Sequence, residues 1–215
     1  MNSFNGALSL IPDEYLQPTY PVMETFYSLQ GEGYWSGSAA FFIRLAGCDI
    51  QCFWCDVQES WEQNTYPSRT VKQILQEILE NKADRVVITG GEPTLHNLTP
   101  LTKALQTANL KVHLETAGNH EITGFFDWVC LSPKKFCPVL AQNYPLANEL
   151  KIIVRNQHDL EWAANQAEYC TPKTLKYLQP EWTNFEKAIH WIIPYIQQNT
   201  GWKLSLQIHK YLNIR

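Results

Sequence analysis

The chain has 215 residues, 45% of them apolar, and a formal net charge of −4. That length builds one substantial core and is short for two independent domains, and no apolar run approaches the roughly 20 residues of a membrane span. The charge gives no electrostatic grip on a nucleic-acid backbone, and without a basic groove the eight tryptophans and ten tyrosines read as core packing.

Residues 1–19 are polar and interrupted by proline, without the basic end and apolar run of an export leader. Residues 1–21 therefore read as an N-terminal extension of a single domain spanning 1–215, in a reducing cytoplasm and away from membranes. Short apolar runs predict strands at 39–45, 85–88, 111–114, 128–131, 150–154, 175–178 and 204–207. Longer amphipathic stretches predict helices at 71–79 after a cap at Ser68 or Thr70, at 98–107, at 158–167, and at 183–198 with Pro194 disturbing the last turn. The stretch 134–147 reads as a loop. Alternation of this kind argues an α/β fold with a mostly parallel sheet. Polar residues follow the strands repeatedly: the cysteine loop after Leu45, Thr89-Gly90-Gly91-Glu92-Pro93, Glu115-Thr116, Ser132-Pro133-Lys134, Gln179-Pro180 and Gln207-Ile208-His209-Lys210. In parallel α/β barrels the carboxyl ends of the strands share one face, so these groups are expected to converge.

Cys48, Cys52 and Cys55 stand within eight residues at C-x3-C-x2-C spacing. Three thiolates can hold three irons of a four-iron, four-sulfur cluster and leave the fourth iron without a protein ligand. A structural zinc site wants four closed ligands, and no second C-x2-C pair stands in the chain. Six cysteines in 215 residues are sparse for a disulfide framework, and Cys130, Cys137 and Cys170 read as space-filling. Arg44, inside an apolar strand, is either a carboxylate clamp or half of a buried ion pair. Gly90 and Gly91 either allow close backbone approach to a ligand or form a plain turn. Glu115 and Thr116 either join a polar wall or are merely solvated. His209 follows Gln207 by two, so both would share a face if a strand continues there.

The cysteine loop, with Trp54 before its last cysteine and Gly90-Gly91-Glu92-Pro93 after the second strand, resembles the radical S-adenosylmethionine enzymes. Over residues 22–215 the chain resembles one family more closely, 7-carboxy-7-deazaguanine synthase of the queuosine and 7-deazapurine pathway. That likeness rests on Phe26-Tyr27-Ser28-Leu29-Gln30-Gly31-Glu32-Gly33, on Phe42-Ile43-Arg44-Leu45-Ala46-Gly47-Cys48, on the run 88–93, on Ser132-Pro133-Lys134 and on the ending from Leu204 to Ile214.

The resemblance implies an incomplete parallel α/β barrel of about six strands. It implies a [4Fe-4S] cluster on Cys48, Cys52 and Cys55, with S-adenosylmethionine chelating the open iron and yielding a 5′-deoxyadenosyl radical. That cofactor would meet Trp54, Cys55, Asp56, Gly91, Ser132, Pro133, Lys134, Gln179, Pro180, Glu181 and Trp182. The substrate implied is 6-carboxy-5,6,7,8-tetrahydropterin, held by Leu29, Gln30, Gly31, Arg44, Thr89 and the terminal carboxylate of Arg215, with Glu32 and His209 as catalytic residues. The reaction implied is hydrogen abstraction at C6, ring contraction and loss of ammonia. Magnesium is implied too; the position commonly held by a metal-ligating threonine is Val57 here, so either a backbone carbonyl or Asp56 substitutes or magnesium dependence is weak. A homodimer and a reductant of the flavodoxin or ferredoxin class complete the picture. Two other readings remain at this level: another radical enzyme such as a glycyl-radical activase, and an iron–sulfur electron-transfer module, which would need a fourth cysteine.

Overall fold

In the computed structural model, which describes residues 8–215, strands and helices alternate. The strands are β1 (Thr19–Leu29), β2 (Ala39–Leu45), β3 (Ser68–Thr70), β4 (Arg85–Gly90), β5 (Lys111–Thr116), β6 (Trp128–Leu131), β7 (Glu149–Val154), β8 (Leu175–Pro180) and β9 (Trp202–Leu204). The helices are α1 (Asp13–Leu16), α2 (Val71–Glu80), α3 (Thr99–Thr107), α4 (His158–Ala167), α5 (Phe185–Gln198) and α6 (Ile208–Leu212). Two compact units are present. One takes in the described residues up to Ser28, Ala39–Thr116 and His120–Trp128; the other takes in Leu29–Ser38, Ala117–Asn119 and Val129–Arg215.

In the first unit the strand order is β3-β1-β2-β4-β5. β1 and β3 pair antiparallel, while β4 pairs parallel with both β2 and β5. α2 forms where the apolar spacing places it: Thr70 and Gln73 close a capping box, and Val71, Ile74, Leu75 and Ile78 are buried along one stripe. Each fully buried Leu or Ile of that stripe stabilises by about 1.5–3 kcal/mol. α3 opens with Pro100 in its first turn, where a missing N–H costs nothing, and buries Leu101, Thr102, Ala104 and Leu105. Ala40, Phe42 and Val87 pack with Phe26, whose ring stacks on Phe42 at 4.9 Å.

In the second unit β6, β7, β8 and β9 follow one another in parallel. Leu150, Ile152 and Val154 of β7 and Leu178 of β8 form its core with Leu160 and Ala163 of α4 and Ala188 and Ile192 of α5. Successive side chains of a strand alternate faces, so Glu149 and Lys151 lie on the opposite side of β7 from that core. The terminal strands β3 and β9 each pair on one side only. Among the described residues no helix is long and apolar enough to cross a membrane.

Several elements differ from the sequence expectation. Among the described residues seven strands take part in parallel pairing, close to the about six that the resemblance implies, and β1 and β3 stand outside the predicted strands. α5 runs on past Pro194 to Gln198, starting at Phe185 after a short 3-10 turn at Trp182–Asn184. The strand expected over 204–207 is absent. β9 ends at Leu204, and Gln207 precedes α6, so Gln207 and His209 do not share a strand face.

Candidate active site

β2 delivers the chain into the loop bearing Cys48, Cys52 and Cys55, none of them in a disulfide, with Cys52 buried and the other two half-buried. Backbone bonds brace the loop, from Gly47 N to Ser60 O (2.8 Å), Cys48 N to Trp61 O (3.2 Å) and Cys55 N to Cys52 O (2.8 Å). Val57 N–H donates to Cys55 Sγ at 3.4 Å. Burial pushes the Cys48 thiol up, and the backbone N–H groups of Gln51 and Ile50 partly counter this. Such N–H groups aimed at sulfur are the partners that tune cluster thiolates. Among the described residues no three His, Cys, Asp or Glu side chains are gathered to hold a single metal ion. A four-iron cluster asks for a different arrangement, one thiolate to each of three irons, and the donor set and bracing of this loop fit it. Trp54 is half-buried and Asp56 exposed on the same loop.

Gly91 was expected to allow close approach to a ligand; what stands close to it in the structure is the cysteine loop. A Cβ on Gly91 would stand 2.2 Å from Gly47 O and 2.9 Å from Cys48 Cβ; one on Gly90, at φ +142°, would stand 2.0 Å from Leu45 O. Gly91 N–H donates to Leu45 O (3.0 Å) and Glu92 N–H to Gly47 O (2.8 Å). The glycine pair thus lets the cysteine loop dock on the end of β4. Behind it Glu92, only 2% exposed, accepts through Oε1 from Thr94 N (3.0 Å), Thr94 Oγ1 (2.7 Å) and Thr116 Oγ1 (2.5 Å). Thr116 is therefore part of this buried network.

Arg44 of β2 stands opposite Thr89 of β4, one step beyond the Phe42–Val87 pair on the same face. Its Nε bonds Glu24 Oε1 at 2.8 Å, and its guanidinium lies 5.9 Å from the Phe26 ring centre. The ion pair weighed as an alternative for Arg44 exists. It engages Nε alone, which leaves the two terminal nitrogens of the fork for a planar anion.

In the second unit the segment from Leu29 to Tyr34 is held by side chains from far along the chain. Gln30 and Gly31 are buried and Leu29 half-buried. Glu32 Oε2 bonds Lys151 Nζ at 2.6 Å, and Glu32 Oε1 accepts from Gln207 Nε2 at 2.8 Å. Burial pushes the Glu32 carboxyl up, but Lys151, Gln207 and His209 more than reverse this and bring it down to about 2. Gly33 N–H donates to Ser205 Oγ (2.9 Å), which donates to Gln179 Oε1 (2.7 Å). Tyr34 N–H donates to Glu149 Oε2 (3.1 Å). His209 lies against Gly31, where a Cβ would stand 2.0 Å from Nδ1, and Ile208 N–H donates to Gly31 O at 2.9 Å. The helical turn of α6, rather than a strand, brings His209 there.

The remaining expected residues of this unit sit as follows. Lys134 Nζ donates to Ser132 Oγ (3.0 Å) and to the Ser132 carbonyl, next to buried Pro133. Gln179 and Pro180 end β8, and Glu181 caps the following turn through Thr183. Trp182 packs edge-on against Tyr211 at 5.3 Å, with Lys210 Nζ 4.8 Å from its ring centre. Arg215 is exposed after α6. Sequence reasoning missed Lys151, Glu149 and Ser205, though a lysine inside an apolar strand is the same signal that singled out Arg44.

Comparisons with known proteins agree with this geometry. Residues 42–122 match the Radical SAM superfamily, the segment from the cysteine loop through the Glu92 network. The chain is 49% identical over 202 residues to the 7-carboxy-7-deazaguanine synthase of Synechocystis sp., covering 94% of this chain and 97% of that one. It is 36% identical over 223 residues to the enzyme of that name from Escherichia coli K12, covering 91% and 99%. The crystal structure of QueE from Escherichia coli superposes with a TM-score of 0.80 at 33% identity, covering 91% of this chain and 97% of that one. The mostly parallel pairing, with β3 and β9 each paired on one side only among the described residues, fits the partial barrel expected. The chain belongs to the 7-carboxy-7-deazaguanine synthase family, a branch of the radical S-adenosylmethionine enzymes.

Proposed function

We propose that the protein converts 6-carboxy-5,6,7,8-tetrahydropterin to 7-carboxy-7-deazaguanine with loss of ammonia, the ring contraction of queuosine and 7-deazapurine biosynthesis. The observation that carries this reading is the three-cysteine loop docked on Gly90-Gly91, in a chain 49% identical over 94% of its length to a synthase so named. With a [4Fe-4S] cluster on Cys48, Cys52 and Cys55 and S-adenosylmethionine bound, the site gains one-electron chemistry able to remove a hydrogen atom from carbon.

This chain's own residues bind, orient and exclude water. Arg44 clamps the substrate carboxylate with the nitrogens that Glu24 leaves free, and Thr89 borders it from the paired strand. Leu29, Gln30 and Gly31 meet the edge of the heterocycle. Glu32, kept ionised, accepts hydrogen bonds from its N–H groups, and His209 packs beside it on Gly31. Trp54, Cys55, Asp56, Gly91, Ser132, Pro133, Lys134, Gln179, Pro180, Glu181 and Trp182 are assigned to S-adenosylmethionine. Arg215 is assigned to substrate.

Magnesium fits less well. Val57 has no side-chain oxygen, and its carbonyl already accepts from Ser60 Oγ at 2.7 Å. We therefore expect turnover to survive chelation of divalent cations; complete loss in chelator, restored by magnesium, contradicts this. The same reading includes an electron donor of the flavodoxin or ferredoxin class, a homodimeric assembly and a cytoplasmic setting. The test is anaerobic incubation of the reconstituted protein with the carboxytetrahydropterin, S-adenosylmethionine and a reductant. Appearance of 7-carboxy-7-deazaguanine by mass supports the proposal, and its absence from a sample that still cleaves S-adenosylmethionine contradicts it.

A further inference from the structure

Lys151 is a charged residue with almost no access to water, its side chain 5% exposed, on a strand whose neighbours Leu150 and Ile152 are fully buried. An ammonium is buried only where a partner repays its lost hydration. Its partner is Glu32, 119 residues earlier, at 2.6 Å. Two residues back on the same face of β7, Glu149 takes the N–H of Tyr34 and lies against Gly33, where a Cβ would meet Glu149 Oε1 at 2.0 Å. Ser205 takes the N–H of Gly33, and Gln207, itself bonded by Lys210 at 3.0 Å, holds the other oxygen of Glu32. The segment assigned to the pterin is thus fixed by polar side chains from one face of β7 and from the segment that follows β9. Lys151 is the member that sets its charge.

We infer that Lys151 is a positioning residue for substrate: it fixes the orientation of the Glu32 carboxylate and keeps it ionised, so that Glu32 accepts hydrogen bonds from an N–H-bearing heterocycle edge. This rests on the reaction proposed above. The charged and titratable groups facing Glu32 are Lys151 from β7 and His209 from α6, with Glu149 beside Gly33 and Lys210 behind Gln207. Without the lysine, burial acts on Glu32 with less opposition, and its carboxyl moves up. A neutral carboxylic acid would present a donor where the heterocycle needs an acceptor. Lys151 itself touches no reacting atom in this account.

The variants are Lys151→Met, Lys151→Arg and the double variant Glu32→Gln/Lys151→Met. Each is measured for kcat and KM from pH 5 to 8 and for thermal stability, and the parent and the two single variants also for Glu32 ionisation by carbon-13 NMR of labelled protein without substrate. Lys151→Met is expected to raise the pKa of Glu32, to move the acid limb of kcat/KM to higher pH, and to lower kcat/KM at least tenfold. Lys151→Arg is expected to keep the limb where it stands in the parent. The double variant removes both charges, so it is expected to regain thermal stability while kcat/KM stays depressed. A double variant that regains both stability and turnover would show a purely structural pair and overturn the inference. So would a folded Lys151→Met protein with the parent's limb and KM. Should Lys151→Met fail to fold, the double variant alone decides. If the parent chain makes no 7-carboxy-7-deazaguanine, the proposed reaction falls, and the carbon-13 titration still decides what Lys151 does to Glu32.

Discussion

Arg44 bonds Glu24 through Nε and keeps the rest of a planar fork. Lysine at this position would retain the charge but not the two parallel bonds to a carboxylate. Arg44→Lys is therefore expected to raise KM for the carboxytetrahydropterin roughly tenfold, the loss of about one charge-assisted hydrogen bond, with little change in unfolding temperature. Steady-state kinetics beside a thermal melt check this, and an unchanged KM contradicts the clamp. At Gly91 the prediction reverses, because a methyl group there meets backbone, the Gly47 carbonyl at 2.2 Å. Gly91→Ala should cost about 1–3 kcal/mol of stability and reduce bound iron and sulfide, since the cysteine loop must move. Full iron content with a normal melt would show that the loop tolerates the shift.

At the scale of elements, α2 offers a separable test. Removing the Thr70 side chain opens the capping box with Gln73, so Thr70→Ala should destabilise by about 1 kcal/mol and shift the denaturant midpoint without changing its slope. This helix was legible because Thr70, Gln73 and the stripe Val71, Ile74, Leu75, Ile78 all point to the same element. β2 was legible from Ala39-Ala40-Phe41-Phe42-Ile43, a fully apolar run between polar flanks. β1 was hidden by Pro21 within the run and by its mixed burial, the mark of a strand near the sheet's end. The stretch Leu204-Ser205-Leu206-Gln207 alternates like a strand, yet Ser205 bonds Gln179 and Gln207 bonds Glu32, and the chain turns into α6. Sequence spacing cannot show such partners. For the same reason the Cys48, Cys52, Cys55 loop could be read from a single short motif, whereas the Lys151–Glu32 pair, 119 residues apart, could not.

For the whole molecule, buried His113 and half-buried Glu32 each contribute to acid stability. Burial, aided by Arg85, lowers His113 from 6.5 to about 4. The unfolded chain then binds that proton at higher pH than the folded one, so this contribution is complete above about pH 6.5 and is lost as pH falls toward 4. Glu32 acts in a lower window, with stability present above 4.5 and lost as pH falls toward about 2. Denaturant midpoints across pH should decline in both windows, and His113→Gln should flatten the upper one only. The proposed function asks one thing of the fold, a cluster held by three cysteines of one loop. The most direct measurement of that claim is electron paramagnetic resonance of the anaerobically reconstituted, reduced protein before and after addition of S-adenosylmethionine. The account predicts a [4Fe-4S] signal that changes on addition and disappears in Cys48→Ser, Cys52→Ser or Cys55→Ser variants. A signal that is unaltered by S-adenosylmethionine, or that survives in those variants, would contradict it.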